Sequence, residues 1–114
     1  MNKDEYMNYI VDMLQSVGPV YSKKMFGGFG LYMDDIMFGI INKNSVYFKV
    51  DKTTEGLFIE EGCLPFTFKR NGKEFKMSYY EVPATALDSM DTMHKWGQLA
   101  YDSAIKNALA NRKN

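Results

Sequence analysis

Residues 66–79, with the sequence FTFKRNGKEFKMSY, carry the strongest local signal in the chain. The pair Asn71-Gly72 tolerates the two positive φ angles of a type I′ turn. It therefore predicts a β-hairpin with strands at Phe66–Arg70 and Lys73–Tyr79, in which Phe68 faces Phe75 and Arg70 faces Lys73. One side of this hairpin carries the apolar residues Phe66, Phe68, Phe75, Met77 and Tyr79, and the other carries Lys69, Lys76 and Ser78.

Three more strands are predicted upstream of the hairpin, as an antiparallel meander. They cover Phe29–Met33, Ile36–Ile41 and Ser45–Val50. The third alternates apolar and polar residues, which is typical of a half-buried strand. The second is apolar on both faces, so we expect it near the centre of the sheet. The loops between them are too short for anything but antiparallel neighbours.

Helices are predicted on either side of these strands. Apolar residues at spacings of three and four predict an amphipathic helix over Lys3–Val17. Glu55–Glu61 is expected to form a short helix, and a long helix begins near Asp88–Asp91 and runs to about Ala110. Small residues on one side of that last helix would let it lie close to a sheet. Asn111–Asn114 are expected to form a frayed tail.

The order of elements predicts an α+β fold. A helix, a three-stranded antiparallel meander, a short helix, a β-hairpin and a long helix form a two-layer sandwich rather than a parallel βαβ sheet. The length of 114 residues suits one domain, residues 1–114, and the 46% apolar content supplies its core.

Composition argues against several classes of protein. Fourteen basic and fourteen acidic side chains give no net charge, whereas a dedicated DNA-binding domain usually has a basic excess. Cys63 is the single cysteine and His94 the single histidine, so a disulfide or a zinc site of these ligands is not expected. The N-terminus does not resemble a signal peptide, and no apolar run is long enough to span a membrane. We therefore expect a cytoplasmic protein.

No pattern of residues indicates catalysis. Gly27–Gly30 precedes a strand rather than a helix, so it favours a backbone bend over a phosphate cradle. His94 has no nucleophile in a recognisable motif beside it, and Cys63 is expected to be a small buried apolar residue. Asp34-Asp35 fits a tight turn and Glu60-Glu61 a helix end. We therefore predict no enzyme, no catalytic residue, no cofactor and no metal.

The densest positive cluster is expected around the hairpin tip. It consists of Lys69, Arg70, Lys73 and Lys76. Such a cluster suits an acidic protein surface or a phosphate backbone, but lysines at a hairpin edge also prevent strands from pairing edge to edge. It is the candidate partner-binding site, and both interpretations remain open.

Several segments together resemble the N-terminal domain of TfoX/Sxy-type competence regulators. The opening segment KKMFGGFGLY, residues 23–32, is the most specific, and the similarity extends from about Val20 to Ala104. The residues that carry it, which we expect to be mainly structural, are Lys24, Met25, Phe26, Gly27, Gly28, Gly30, Tyr32, Lys49, Pro65, Phe66, Met77, Ser78, Tyr79, Pro83 and Trp96.

This resemblance implies a fold grouped with secretion-chaperone-like domains and a regulatory role without catalytic residues. It also implies contact with a transcription factor such as the cyclic-AMP receptor protein. The family's helical C-terminal domain is absent from this sequence, so we expect either a stand-alone member or a trimmed chain.

Three functions remain open: a protein-binding regulatory module, a direct nucleic-acid binder acting through the basic hairpin, and a small-ligand domain with an aromatic cavity. An exposed edge strand or an aromatic sheet face would also permit a homodimer. Met25–Gly28 is expected to pack the meander against the first helix, with a lip that contacts a partner as the alternative.

Overall fold

A computed structural model describes residues 1–112 of the chain. Its elements, in chain order, are α1 (Lys3–Leu14), β1 (Tyr21–Met25), β2 (Gly28–Met33), β3 (Ile36–Asn42), β4 (Ser45–Lys49), α2 (Glu55–Glu60), β5 (Pro65–Arg70), β6 (Lys73–Glu81), a single 3₁₀ turn (Ala84–Leu87) and α3 (Met90–Arg112).

The six strands form one antiparallel sheet in the order β1-β2-β3-β4-β6-β5. Four two-residue turns connect the hairpins, and both central residues of each turn have positive φ: Phe26-Gly27, Asp34-Asp35, Lys43-Asn44 and Asn71-Gly72. This is the type I′ geometry, whose twist matches that of the flanking strands. The predicted register of the last hairpin is confirmed, since Phe68 pairs with Phe75 and Arg70 with Lys73. The apolar strand β3 lies inside the sheet, as expected.

The meander has four strands, so the prediction of three was wrong. Tyr21–Met25 forms β1 and pairs with β2 from Tyr21↔Tyr32 to Met25↔Gly28. The predicted bend in the glycine-rich segment is real, but it is the turn of this additional hairpin. Tyr21 stacks on Tyr32 across this strand pair, with ring centroids 5.7 Å apart, and such cross-strand pairs stabilise a sheet. Lys23 and Lys24 of the same strand remain exposed.

The helix bounds differ slightly from those predicted. A reciprocal capping box between Asn2 and Glu5 starts α1, which ends at Leu14 rather than Val17. The short helix ends at Glu60 rather than Glu61. The long helix continues to Arg112, so the predicted frayed tail is wrong for its first two residues, because nothing there breaks the helix and Arg112 suits its C-terminal dipole. Residues 113 and 114 lie outside the described part of the chain.

The three helices cover one face of the sheet. The side chains of Leu31, Phe38 and Phe48 point to this side and are fully buried. Phe38 meets Tyr101 of α3 edge-on at 5.8 Å between ring centroids. Gly97 lets α3 approach α1, because a Cβ there would lie 2.7 Å from Cδ2 of Leu14. Of the predicted small residues of the last helix, Ala100 and Ala104 are buried in the core cluster, whereas Gly97 faces α1.

The predicted α+β class, with helices on an antiparallel sheet, is confirmed. Within residues 1–112, no helix combines the length and apolar character needed to cross a membrane.

Candidate functional site

The sheet face opposite the helices is also apolar. Successive side chains of a strand alternate between the two faces, so the neighbours of the core residues point to this open face. Ile40 is only 2% exposed and Tyr79 only 6%, yet neither belongs to the core cluster between the sheet and the helices. Burial raises the pKa of Tyr79 to about 12. Parts of the open face are therefore closed to water without a helix above them.

A groove of about 550 Å³ runs along this open face. The side chains that line it are predominantly apolar: Met25, Phe26, Met37, Ile40, Asn42, Phe66, Phe68, Lys69, Arg70 and Met77. Among the described residues, no carboxylate, imidazole, thiol or hydroxyl side chain lines the groove. Its size is within the usual range for ligand-binding clefts.

The groove exists because the sheet is strongly curled. Strands β1 and β5 are the two edges of the six-stranded sheet, yet residues from both line the groove. In a flat sheet, five strand spacings would separate these edges by roughly 24 Å. Twist and two register irregularities, between Leu31 and Tyr32 and between Pro65 and Thr67, accompany this curvature.

Phe26 is the most unusual side chain of the groove. It is 95% exposed, although it is aromatic, and its φ of +45° lies in the left-handed region. Large side chains rarely occupy that region because Cβ crowds the backbone. The prediction that Phe26 packs the meander against the first helix is therefore wrong. Gly28, in contrast, fits that prediction of close backbone approach, because a Cβ there would collide with the carbonyl oxygen of Ile41.

The structure divides the predicted basic cluster. Lys69 and Arg70 line the groove, and the Arg70 guanidinium lies 6.0 Å from the centroid of the Phe68 ring. Lys76 lies on the opposite face, where its ammonium is 3.0 Å from the Glu55 carboxylate. Lys73 sits at the hairpin tip, opposite Arg70. The four cations therefore do not form one surface, and only two of them adjoin the groove.

The other candidate residues have structural surroundings. The His94 ring nitrogen Nδ1 lies 3.2 Å from the Ser16 hydroxyl, and Trp96 packs edge-on against Phe58 at 4.7 Å between centroids. Cys63 packs against the core, and its burial raises the pKa of the thiol. Among residues 1–112, no three His, Cys, Asp or Glu side chains converge as metal ligands.

Sequence reasoning missed Met37, Ile40 and Asn42 as lining residues of the groove. All three lie on β3, which forms its floor. The sequence did contain a sign of this groove, because β3 is apolar on both faces and the helices cover only one face of the sheet.

The fold and the groove together define a class: an α+β domain whose antiparallel sheet is covered by helices on one face and carries an open apolar groove on the other. The sequence places it further. This chain belongs to the TfoX N-terminal domain family, whose model matches residues 12–104.

Two named relatives agree with this assignment. The chain is 32% identical over 80 residues to the DNA transformation protein TfoX of Haemophilus influenzae, covering 68% of this chain and 37% of that protein. It is 19% identical over 95 residues to the protein Sxy of Escherichia coli K12, covering 83% of this chain and 46% of Sxy. The chain thus spans less than half the length of either relative.

Proposed function

We propose that this domain is a non-enzymatic regulatory module, of the kind used in DNA transformation, that binds another protein through the groove on its open sheet face. One observation carries the proposal: an aromatic side chain, Phe26, projects into solvent from a strained turn beside an apolar groove. Strained backbone and exposed aromatic residues are costly for an isolated domain, and both are common where a partner binds.

The chemistry of the groove indicates what kind of segment would occupy it. Its floor and walls suit apolar anchor side chains, and aromatic anchors such as Phe26 commonly sit at the energetic centre of interfaces. Lys69 and Arg70 add two positive charges, and the lining contains no acid to balance them. We therefore assign the groove to an acidic segment of a partner protein that carries apolar anchor residues.

The family context supports a regulatory role. A relative is named for DNA transformation, and the resemblance implies a transcription factor such as the cyclic-AMP receptor protein as the partner. Direct nucleic-acid binding is supported less well, because the Lys76 ammonium pairs with Glu55 and the net charge is zero.

Site-specific cross-linking tests the proposal. A photo-reactive phenylalanine analogue is placed at residue 26, and in a control protein at Leu109, an exposed apolar residue of α3. We expect a protein adduct from position 26 only, and mass spectrometry then identifies the partner segment attached to it. A synthetic copy of that segment is titrated into the wild-type domain.

The proposal requires the captured segment to be acidic with apolar anchors, and its peptide to bind more weakly to a Phe26→Asn variant. Capture of nucleic acid, or equal labelling from both positions, would refute it. A peptide that binds wild type and variant equally would exclude the groove as its site.

A further inference from the structure

A second concavity, of about 380 Å³, lies where the end of β4 meets the start of α2 and the C-terminal half of α3. Its polar walls include three lysines and three neutral hydrogen-bonding side chains: Lys49, Lys52, Lys106, Ser78, Ser103 and Asn107. This composition differs from that of the apolar groove and suggests a different kind of ligand.

Two carboxylates, Asp51 and Glu55, also line this pocket, and both accept hydrogen bonds from neighbouring groups. Asp51 accepts hydrogen bonds from the Thr53 amide at 2.7 Å, the Thr53 hydroxyl at 2.5 Å, the Thr54 amide at 3.0 Å and the Ser103 hydroxyl at 2.8 Å. Glu55 accepts from the Tyr80 hydroxyl at 2.8 Å and from the Lys76 ammonium at 3.0 Å. The Glu55 carboxylate is thus paired with Lys76, and Asp51 lies 3.5 Å from the Lys106 ammonium, so among residues 1–112 neither Lys49 nor Lys52 has an ion pair of its own.

Lys49 is half-buried, whereas the other two lysines of this pocket, Lys52 and Lys106, are exposed. Its ammonium donates to the Ser78 hydroxyl and lies 5.3 Å from the centroid of the Tyr79 ring. Partial burial lowers the pKa of Lys49, because water is withdrawn from the charge, while the negative charge of Asp51 partly opposes this effect. An ammonium has three N–H donors. Within residues 1–112 one of them is used by Ser78, so two remain for a ligand.

Lys106 is placed to act with Lys49. Its ammonium is 3.5 Å from the Asp51 carboxylate and its side chain is 62% exposed, so this ion pair is long and open to water. Such exposed pairs are weak, and the ammonium is free to turn toward an anion in the pocket. Lys52 also lines the pocket and forms no ion pair within residues 1–112.

We propose that this pocket binds the phosphate group of a small molecule, with Lys49 and Lys106 as its charged donors and the Ser78 hydroxyl as a neutral one. Lysine ammonium groups are common phosphate ligands. The volume accommodates a phosphate with a small organic group attached. The ligand would connect α3 to the sheet, since its contacts come from β4, β6 and α3.

Nuclear magnetic resonance titration of the full chain tests this inference. Inorganic phosphate and glycerol 3-phosphate are the two probes, and potassium chloride at equal ionic strength is the control. We expect saturable shifts of the Ser78, Ser103 and Asn107 amides with both phosphates and none with chloride. Tighter binding of glycerol 3-phosphate would identify a phosphate ester as the ligand, and equal binding would identify free phosphate.

Lys49→Gln is expected to weaken phosphate binding about tenfold, because it removes a charge-assisted hydrogen bond. Lys24→Gln, an exposed lysine on β1, is the matched control and should bind as wild type does. Lys106→Gln changes an exposed side chain and also tests the site if Lys49→Gln fails to fold. Equal shifts with chloride, or unaltered phosphate binding in Lys106→Gln or in a folded Lys49→Gln, would overturn the proposal.

Discussion

Phe26 has two properties, an exposed ring and a left-handed backbone, that do not stabilise an isolated domain. Its ring contacts solvent over nearly its whole surface, and its backbone is left-handed. Asparagine tolerates this backbone conformation better because its short polar side chain hydrogen-bonds locally. Phe26→Asn should therefore raise the free energy of unfolding by about 1 kcal/mol while weakening partner binding. Urea denaturation and peptide titration measure the two effects.

Lys43 offers a matched control for this prediction. It occupies the same position of another two-residue turn, with φ of +51°, but it does not line the groove. Lys43→Asn should also stabilise the domain and should leave partner binding unchanged. If both variants lost binding equally, the effect would not arise from the Phe26 side chain.

Asp51 is a second residue with a specific energetic role. Burial alone would raise the pKa of its carboxyl group, but hydrogen bonds from Thr53, Ser103 and Thr54 outweigh burial and hold the pKa well below its usual value. Because the folded pKa is the lower one, this stabilisation is present above the unfolded pKa of about 4 and is lost as the pH falls below it.

Asp51→Asn should accordingly lower the free energy of unfolding at neutral pH by about 1–3 kcal/mol. The difference from wild type should begin to shrink as the pH falls from 5 toward about 3, because the unfolded wild-type chain then takes up a proton at this position while the folded carboxylate stays ionised. Asp12→Asn, on the exposed side of α1, is the control and should have little effect. A difference independent of pH would contradict the assigned cause.

At the scale of elements, local sequence patterns predicted the hairpins whose turns contain residues typical of type I′ turns. Asn71-Gly72 and Asp34-Asp35 are residues that favour type I′ turns, and both hairpins were predicted. Strand β1 was missed because its turn places phenylalanine where asparagine, aspartate or glycine is expected. Phe26, the residue that hid this turn from sequence analysis, is also the residue on which the proposed function depends.

Replacing two glycines by alanine should change the stability of the domain in opposite directions. Gly28 in β2 approaches the Ile41 carbonyl too closely to admit a Cβ, so Gly28→Ala should cost about 1–3 kcal/mol. Gly56 in α2 has open space around it, and Gly56→Ala should stabilise by about 0.5–1 kcal/mol. Thermal melts of the two variants give the comparison. A lower melting temperature for Gly56→Ala would show that Gly56 does not have open space around it.

At the scale of the whole molecule, the sequence could not reveal which sheet face the helices cover. It placed Phe66, Phe68, Phe75 and Met77 on one side of the last hairpin, and that side turned out to be the open one. Both faces of β3 are apolar, so alternation alone gives no preference. The curl that brings β1 and β5 to one groove depends on the twist of all six strands, which no local segment encodes.

The charge distribution makes a prediction at this same scale. A net charge of zero provides no long-range attraction, and Lys69 and Arg70 are the only charged residues among 1–112 that line the groove. Raising the ionic strength from about 0.05 M to about 0.5 M should therefore weaken binding of the partner segment only modestly. Burial of apolar surface should give a negative heat-capacity change in calorimetry. A steep salt dependence would indicate that phosphates or another polyanion dominate binding.

Helices from opposite ends of the domain share the layer over the sheet. The Tyr9 hydroxyl of α1 donates to the Leu87 carbonyl just before α3, at 2.9 Å, and Leu14 packs against Gly97. On the ribosome, the six strands emerge before α3 does, so the nascent sheet keeps part of its core face wet for the few seconds that α3 takes to be synthesised. We therefore expect the nascent domain to expose apolar surface on part of its core face, as well as on its open face, until α3 packs, and such surface is what a holdase chaperone binds.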